Sequence, residues 1–164
     1  KSIGKVVLYT NNMGPPSWAV MIIDYIQYKI KARVFDVIIP GHVGTGSCRT
    51  TKLKTYEDLI SCAKLSTKTK ICFIDDVYYD DMNDDNVYYL HIDPYVSSLH
   101  YTTMVERLVK SKLLGEINQK YLIKNMSNAF MNVKYHRKTQ KDYDMDIIIG
   151  KKIMMCLQEF FLEF

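Results

Sequence analysis

Two adjacent carboxylates, Asp75 and Asp76, end the apolar run that begins at Lys70. An earlier apolar run, KVVLY, ends in Thr10, Asn11 and Asn12, and Lys54 stands just ahead of a stretch with helical spacing. A hydroxyl, amide groups and an ammonium suit a phosphate. Paired carboxylates suit Mg²⁺, whose charge offsets their mutual repulsion. In a parallel α/β sheet such groups collect at the carboxyl ends of the strands. Here those ends read Thr10-Asn11-Asn12, Pro40-Gly41-His42, Asp75-Asp76 and Asp93.

Positioning these side chains falls to alternating elements. Residues 5–10 read as a strand closed by an Asn-Asn turn. Pro15-Pro16 opens a helix whose face carries Trp18, Met21, Ile22, Tyr25, Ile26 and Ile30. Residues 33–41 form a second strand stopped by Pro40-Gly41, and a loop follows. Thr55 and Asp58 make an approximate capping box for a helix over residues 56–65. Residues 70–75 and 86–92 are the third and fourth strands. Thr103 with Glu106 caps a helix burying Val105, Leu108, Val109 and Leu113, and residues 116–133 form another. After a polar break, the last helix carries Ile149, Ile153, Leu157, Phe160, Phe161 and Phe164 on one face. Strand–helix alternation predicts an α/β fold with right-handed crossovers: a Rossmann-like, mainly parallel sheet of about four strands. It occupies residues 1–100, and residues 101–164 form a helical extension packing on it.

Composition bounds the function classes. At 164 residues the chain is long enough to bury a sizeable core, and 48% hydrophobic with 24% charged residues is ordinary for a globular protein. A net charge of +4 is too mild to imply nucleic acid. No apolar run approaches the roughly 18 residues of a membrane span, and residues 6–9 are too short for a signal peptide. Cys48, Cys62, Cys72 and Cys156 form no CxxC pair, which argues against zinc and predicts reduced thiols in an intracellular (cytoplasmic or nuclear) protein. Heavy use of Tyr, Lys, Ile, Asn and Asp suits an AT-rich genome, viral or protist. The chain begins at Lys1 rather than Met, as a processed product, a trimmed chain or a piece of a longer protein would.

VVLYTNN resembles the second motif of the haloacid dehalogenase-like superfamily, a strand ending in Thr or Ser. KTYEDL ahead of KICFIDD resembles its third and fourth motifs, and the style of FIDD is closest to the carboxy-terminal-domain phosphatase (NLI-interacting-factor-like) branch. The resemblance covers residues 5–92. It implies a Mg²⁺-dependent phosphoric monoester hydrolase. Thr10 would bond the transferring phosphoryl group, and Asn11 and Asn12 would shape its pocket. Lys54, with Lys52 as the near alternative, would neutralise the phosphoryl oxygens, and Asp75 and Asp76 would hold Mg²⁺; apart from the resemblance, Arg49 beside Cys48 is a further candidate for binding substrate.

One part of the family pattern is missing. The nucleophile is the first Asp of a DxDx[TV] motif ending the family's first strand, which lies centrally between the second and fourth. Only KSIG precedes Lys5, and DYDMD at residues 142–146 follows a polar stretch and reads as a helix N-terminus. Without the nucleophile no aspartyl-phosphate forms, so the chain is expected to be inactive alone. Losing a central strand leaves two inner edges, which close on each other or are filled by a missing segment or a partner chain. The substrate would be phosphoserine or phosphothreonine in protein, or a nucleic-acid end phosphate. The competing expectation is a non-catalytic interaction module. A weaker alternative is nucleic-acid binding by Lys134, His136, Arg137, Lys138 and Lys141.

The remaining polar groups read more simply. Asp80, Asp81, Asp84 and Asp85 fit a surface loop, not an EF-hand. GTGSC lacks the GK[ST] of a phosphate loop, and Cys48-Arg49 lacks the CxxxxxR spacing of a thiol phosphatase. His42, His91, His100 and His136 show no ligand spacing. Tyr78, Tyr79, Tyr88 and Tyr89 fit packing with their hydroxyls at the rim.

Overall fold

A computed structural model describes residues 4–96, 99–111, 119–130 and 135–163. The chain divides into two compact units, Lys1–Ile92 with Met155–Phe164, and Asp93–Met154. The end of the last helix thus belongs with the α/β unit.

The first unit is α/β. Strand β1 (Val7–Tyr9) leads to helix α1 (Pro16–Ile30), then β2 (Val37–Ile39), α2 (Tyr56–Ala63), β3 (Ile71–Asp75), a single 3-10 turn (Asp80–Met82) and β4 (Val87–His91). Both strand pairs are parallel: Val7, Leu8 and Tyr9 face Val37, Ile38 and Ile39, and Ile71–Asp75 face Val87–His91. The expected sheet of about four strands is interrupted. Its strands form two separate two-stranded sheets, β1-β2 and β3-β4, and β1 has no ladder with β3.

One core nevertheless serves both pairs. Tyr9, Ile39, Leu59, Ala63, Phe73 and Met82 form a single buried cluster, drawn from β1, β2, α2, β3 and the 3-10 turn. The helix α2 starts where Thr55 and Asp58 place it: the Thr55 hydroxyl accepts the Asp58 N–H at 3.1 Å. It stops at Lys64, in the left-handed region with φ 51°. Met82, fully buried, anchors the acidic turn between β3 and β4. Gly41 presses on β1's end, where an added Cβ would lie 2.7 Å from the Asn11 carbonyl carbon and from the Asn12 oxygen.

Two expectations change here. Helix α1 begins at Pro16 as the prolines direct, but it buries Ala19 and Ile23, while Trp18, Met21, Ile22, Tyr25, Ile26 and Ile30 stay exposed. The helix is apolar around much of its circumference, so spacing alone could not choose the buried stripe. The thiols are not all reduced: Cys48 and Cys62 form a disulfide, with Cα atoms 5.3 Å apart, and Cys72 and Cys156 remain free. Burial pushes the Cys72 thiol up to about 11, with Cys156 nearby adding to the shift.

Helix α5 (Gln140–Glu163) is capped where the DYDMD segment predicts, since the Asp142 carboxylate accepts the N–H and hydroxyl of Thr139. Its last turns pack Phe160 6.1 Å from the Tyr88 ring, with Cys156 and Phe160 buried and Phe161 exposed. In the second unit, α3 (Tyr101–Lys110) is capped by His100, whose Nδ1 accepts the Thr102 N–H, instead of by Thr103 and Glu106. Val105 is buried there as expected. Tyr101 stacks on Phe130 of α4 (Gln119–Phe130) at 6.1 Å. Leu113, Lys134 and Phe164 lie outside the described residues.

Candidate functional site

The carboxyl ends of β1 and β3 meet through side chains. Asn11 Nδ2, just past β1, donates to the Tyr79 hydroxyl past β3 at 3.0 Å. Between them lies Lys54, which forms an ion pair with Asp75 at the end of β3. Lys54 is buried, and its ammonium lies 5.8 Å from the Tyr9 ring, 5.8 Å from Phe73 and 5.6 Å from Tyr79. Lys52 is exposed, so Lys54 is the lysine of this site. A buried ammonium needs a counter-charge, and Asp75 supplies it while the rings add cation–π attraction.

The loop delivering Lys54 is fixed from beneath. The Arg49 guanidinium is buried, 4.8 Å from the Tyr9 ring centre. It donates to the carbonyls of Thr10 (3.1 Å), Pro40 (3.4 Å), Lys52 (3.1 Å) and Leu53 (2.7 Å). Those bonds tie β1's end, β2's end and the Lys54 loop to one side chain. Its Nε lacks a hydrogen bond and faces Asp58 at 4.0 Å. Asp58 receives the N–H groups and hydroxyls of Thr50 and Thr51 at 2.9–3.2 Å. Burial alone would raise its carboxyl, but those bonds outweigh burial and hold it below the usual range. The capping pair is therefore one-sided: Thr55 N–H turns to the Tyr9 hydroxyl at 3.1 Å. Burial raises both the Tyr9 and Tyr79 phenols, so they stay protonated as donors and acceptors at neutral pH.

The sequence-predicted residues therefore divide. Thr10, Asn11, Arg49, Lys54 and Asp75 share one contiguous cluster at the strand ends. Within it Arg49 is turned inward onto carbonyls and holds the loop. Thr10's hydroxyl accepts the Asn12 N–H at 3.0 Å, and the Asn12 side chain accepts the Gly14 N–H at 2.7 Å, so Asn12 turns the chain. Asp76 is exposed, and its carbonyl lies 3.3 Å from His91 Nε2. Tyr9, Asp58 and Tyr79 also belong to this cluster, although the sequence marks Asp58 only as a capping residue and Tyr79 only as a packing one. The signal for Tyr9 was its inward place in β1, two residues from Val7.

The carboxylates do not by themselves fit Mg²⁺. Asp75 Oδ1 accepts the Val77 N–H at 2.9 Å and Oδ2 holds Lys54. Among the described residues no group of three or more His, Cys, Asp or Glu side chains could hold a metal.

In the basic segment, Lys138 is buried, pairs with Asp146 at 2.6 Å and lies 3.9 Å from the Tyr95 ring centre, which makes it a structural cation. Among the described residues no helix is long and apolar enough to cross a membrane. No protein-family model, curated protein or solved structure matches this chain.

Proposed function

We propose that the chain carries a phosphoryl-binding site of haloacid dehalogenase-like ancestry that lacks its nucleophile and does not turn over phosphate esters alone. The observation that carries this reading is the buried Lys54–Asp75 pair at the joined ends of β1 and β3. A lysine entering from a helix N-terminus onto an aspartate at a strand end is the arrangement the third and fourth motifs imply. Lys54 would neutralise an anion's oxygens, and the Thr10 hydroxyl and the Asn11 amide would orient it. Magnesium belongs to this reading only as the ion that a further carboxylate would let Asp75 and Asp76 hold.

The interrupted sheet supports a second element, completion by another strand. Thr10 N–H donates to Ile39 O, and Val6 O accepts from Asp36 and Val37, so the alternate residues Val7 and Tyr9 turn their N–H and C=O groups away from β2. By the same alternation, Ile71 and Asp75 address β4 and Cys72 and Ile74 turn away from it. An extended segment lying between β1 and β3 would satisfy both edges and give a continuous Rossmann-like sheet. It would come from a missing segment or a partner chain, and in the non-catalytic alternative such pairing is the function itself.

Thermal melts with orthophosphate test the site. Because removing one member of a buried ion pair strands the other, the variant is Lys54→Met with Asp75→Asn. Millimolar phosphate should raise the Tm of the wild type and of Lys52→Met and leave the double variant unmoved. An equal rise in all three would refute the site.

A further inference from the structure

The Cys48–Cys62 disulfide has no part in the phosphoryl-site reading, yet it closes the segment that carries Lys54. Cys48 lies on the loop between β2 and α2, and Cys62 lies in the last turn of α2, 14 residues on. Between them come Arg49, Thr50, Thr51, Lys54 and Asp58. Residues 41–55 form neither helix nor strand. Gly44 and Gly46 take positive φ (118° and 83°), and Val43 and Leu53 are exposed, so the loop has little apolar packing of its own.

Its attachment to α2 is made at two points. Asp58 receives Thr50 and Thr51, and Cys62 bonds Cys48. Asp58 and Cys62 are four residues apart and so share one face of the helix. The strip from Cys48 to Thr51 therefore lies along α2, pinned by a carboxylate and a disulfide. Breaking either pin leaves the strip held by the other and by Arg49, whose bonds to the Lys52 and Leu53 carbonyls carry any movement of the strip on to Lys54. Cys48 is exposed and Cys62 half-buried, so a reductant reaches the bond.

We propose that Cys48–Cys62 is a redox latch on the Lys54 loop: oxidised, it holds Lys54 against Asp75, and reduced, it loosens the loop and weakens anion binding. The second half rests on the phosphoryl-site reading, whereas the loosening does not. The reductant is a dithiol. One of its thiolates attacks Cys48 Sγ, the S–S bond breaks, and Cys62 leaves as a thiolate and takes a proton. The second thiol then attacks the mixed disulfide, releases Cys48, which is protonated in turn, and closes a cyclic disulfide. The dithiol gives up two electrons and two protons, and the protein gains both.

Hydrogen exchange of the full chain, with and without dithiothreitol, tests the latch, with Cys48→Ser/Cys62→Ser as a permanently open form. Opening should speed exchange at Arg49, Thr50, Thr51 and Thr55 by at least about tenfold and leave Phe73 and Leu90, in the β3-β4 ladder, unchanged. Unchanged loop exchange, or an equal rise at every amide, overturns the proposal, as does finding no Cys48–Cys62 bond in the oxidised protein. The phosphate-induced rise in Tm should appear in the oxidised form and shrink in both open forms. Equal rises in open and closed forms also overturn the latch as a regulator. If the oxidised chain shows no rise, the phosphoryl-site reading fails, and loop exchange alone decides whether the latch exists.

Discussion

Replacing Asp58 by Ala should be the most damaging single change in the α/β unit outside its apolar core. Its carboxylate is almost fully buried and accepts four hydrogen bonds, from the N–H groups and hydroxyls of Thr50 and Thr51. It is also the nearest charge to the unpartnered Arg49 Nε, at 4.0 Å. Hydrogen bonds to a charged group contribute roughly 1.5–3 kcal/mol each. The threonine hydroxyls can rotate toward solvent, and Thr50 and Thr51 are themselves exposed, so their bonds are partly replaced by water. The remainder is the buried Arg49 guanidinium, which keeps its four carbonyl hydrogen bonds but loses the carboxylate beside it, and breaking a buried pair costs about 3–5 kcal/mol. The net loss should be about 3 kcal/mol, a Tm fall of roughly 6–12 °C for a chain of this size. Asp58→Asn keeps one acceptor oxygen and should lose about half as much. Urea melts read the difference, with an unchanged m-value showing that stability alone has moved. A loss under about 1 kcal/mol for Asp58→Ala would mean that Arg49 and the loop are held by something other than this carboxylate.

Three further outcomes follow from the same geometry. Because the folded state holds the Asp58 carboxyl below the ordinary aspartate value of about 3.9, its contribution is present above that pH and lost as pH falls through the lower folded value; Tm should therefore drop more steeply below about pH 4 in the wild type than in Asp58→Asn. Gly41→Ala should cost about 1–3 kcal/mol, read by thermal melts, because its Cβ would meet the Asn11–Asn12 backbone, which cannot yield as a flexible side chain would. Thiol titration of the native oxidised protein near pH 7.5 should find Cys72 slow to react, since burial holds its thiol up at about 11, and reduction should release the further thiols of Cys48 and Cys62.

Local signals carried much of the fold. The Thr55–Asp58 spacing located the start of α2 to the residue, and the run ending in Asp75 located β3, because caps and strand ends are set by neighbours along the chain. Lys54 and Asp75 were each legible as polar groups at the strand ends, but their ion pair was not, and the choice between Lys52 and Lys54 needed the loop's path. The remainder depended on contacts distant in sequence. Arg49 looked like a substrate ligand because nothing local reveals that carbonyls as far away as Thr10 surround it. Cys48 and Cys62 share no motif, so their bond emerges only once the loop lies along α2. The exposed stripe of α1 escaped for the opposite reason: spacing shows that a face is apolar, not that anything covers it. That the strands form two pairs around one shared core, and not a single sheet, depends on contacts distant in sequence.

The central claim is that an anion binds where β1 and β3 end. An amide-resolved NMR titration of the oxidised chain with orthophosphate tests it most directly. Resonances of Thr10, Asn11, Lys54 and Thr55 should shift together along one saturating curve, and Lys54→Met/Asp75→Asn should abolish the shifts. Shifts confined to residues 136–141, or none at all at the strand ends, would contradict it.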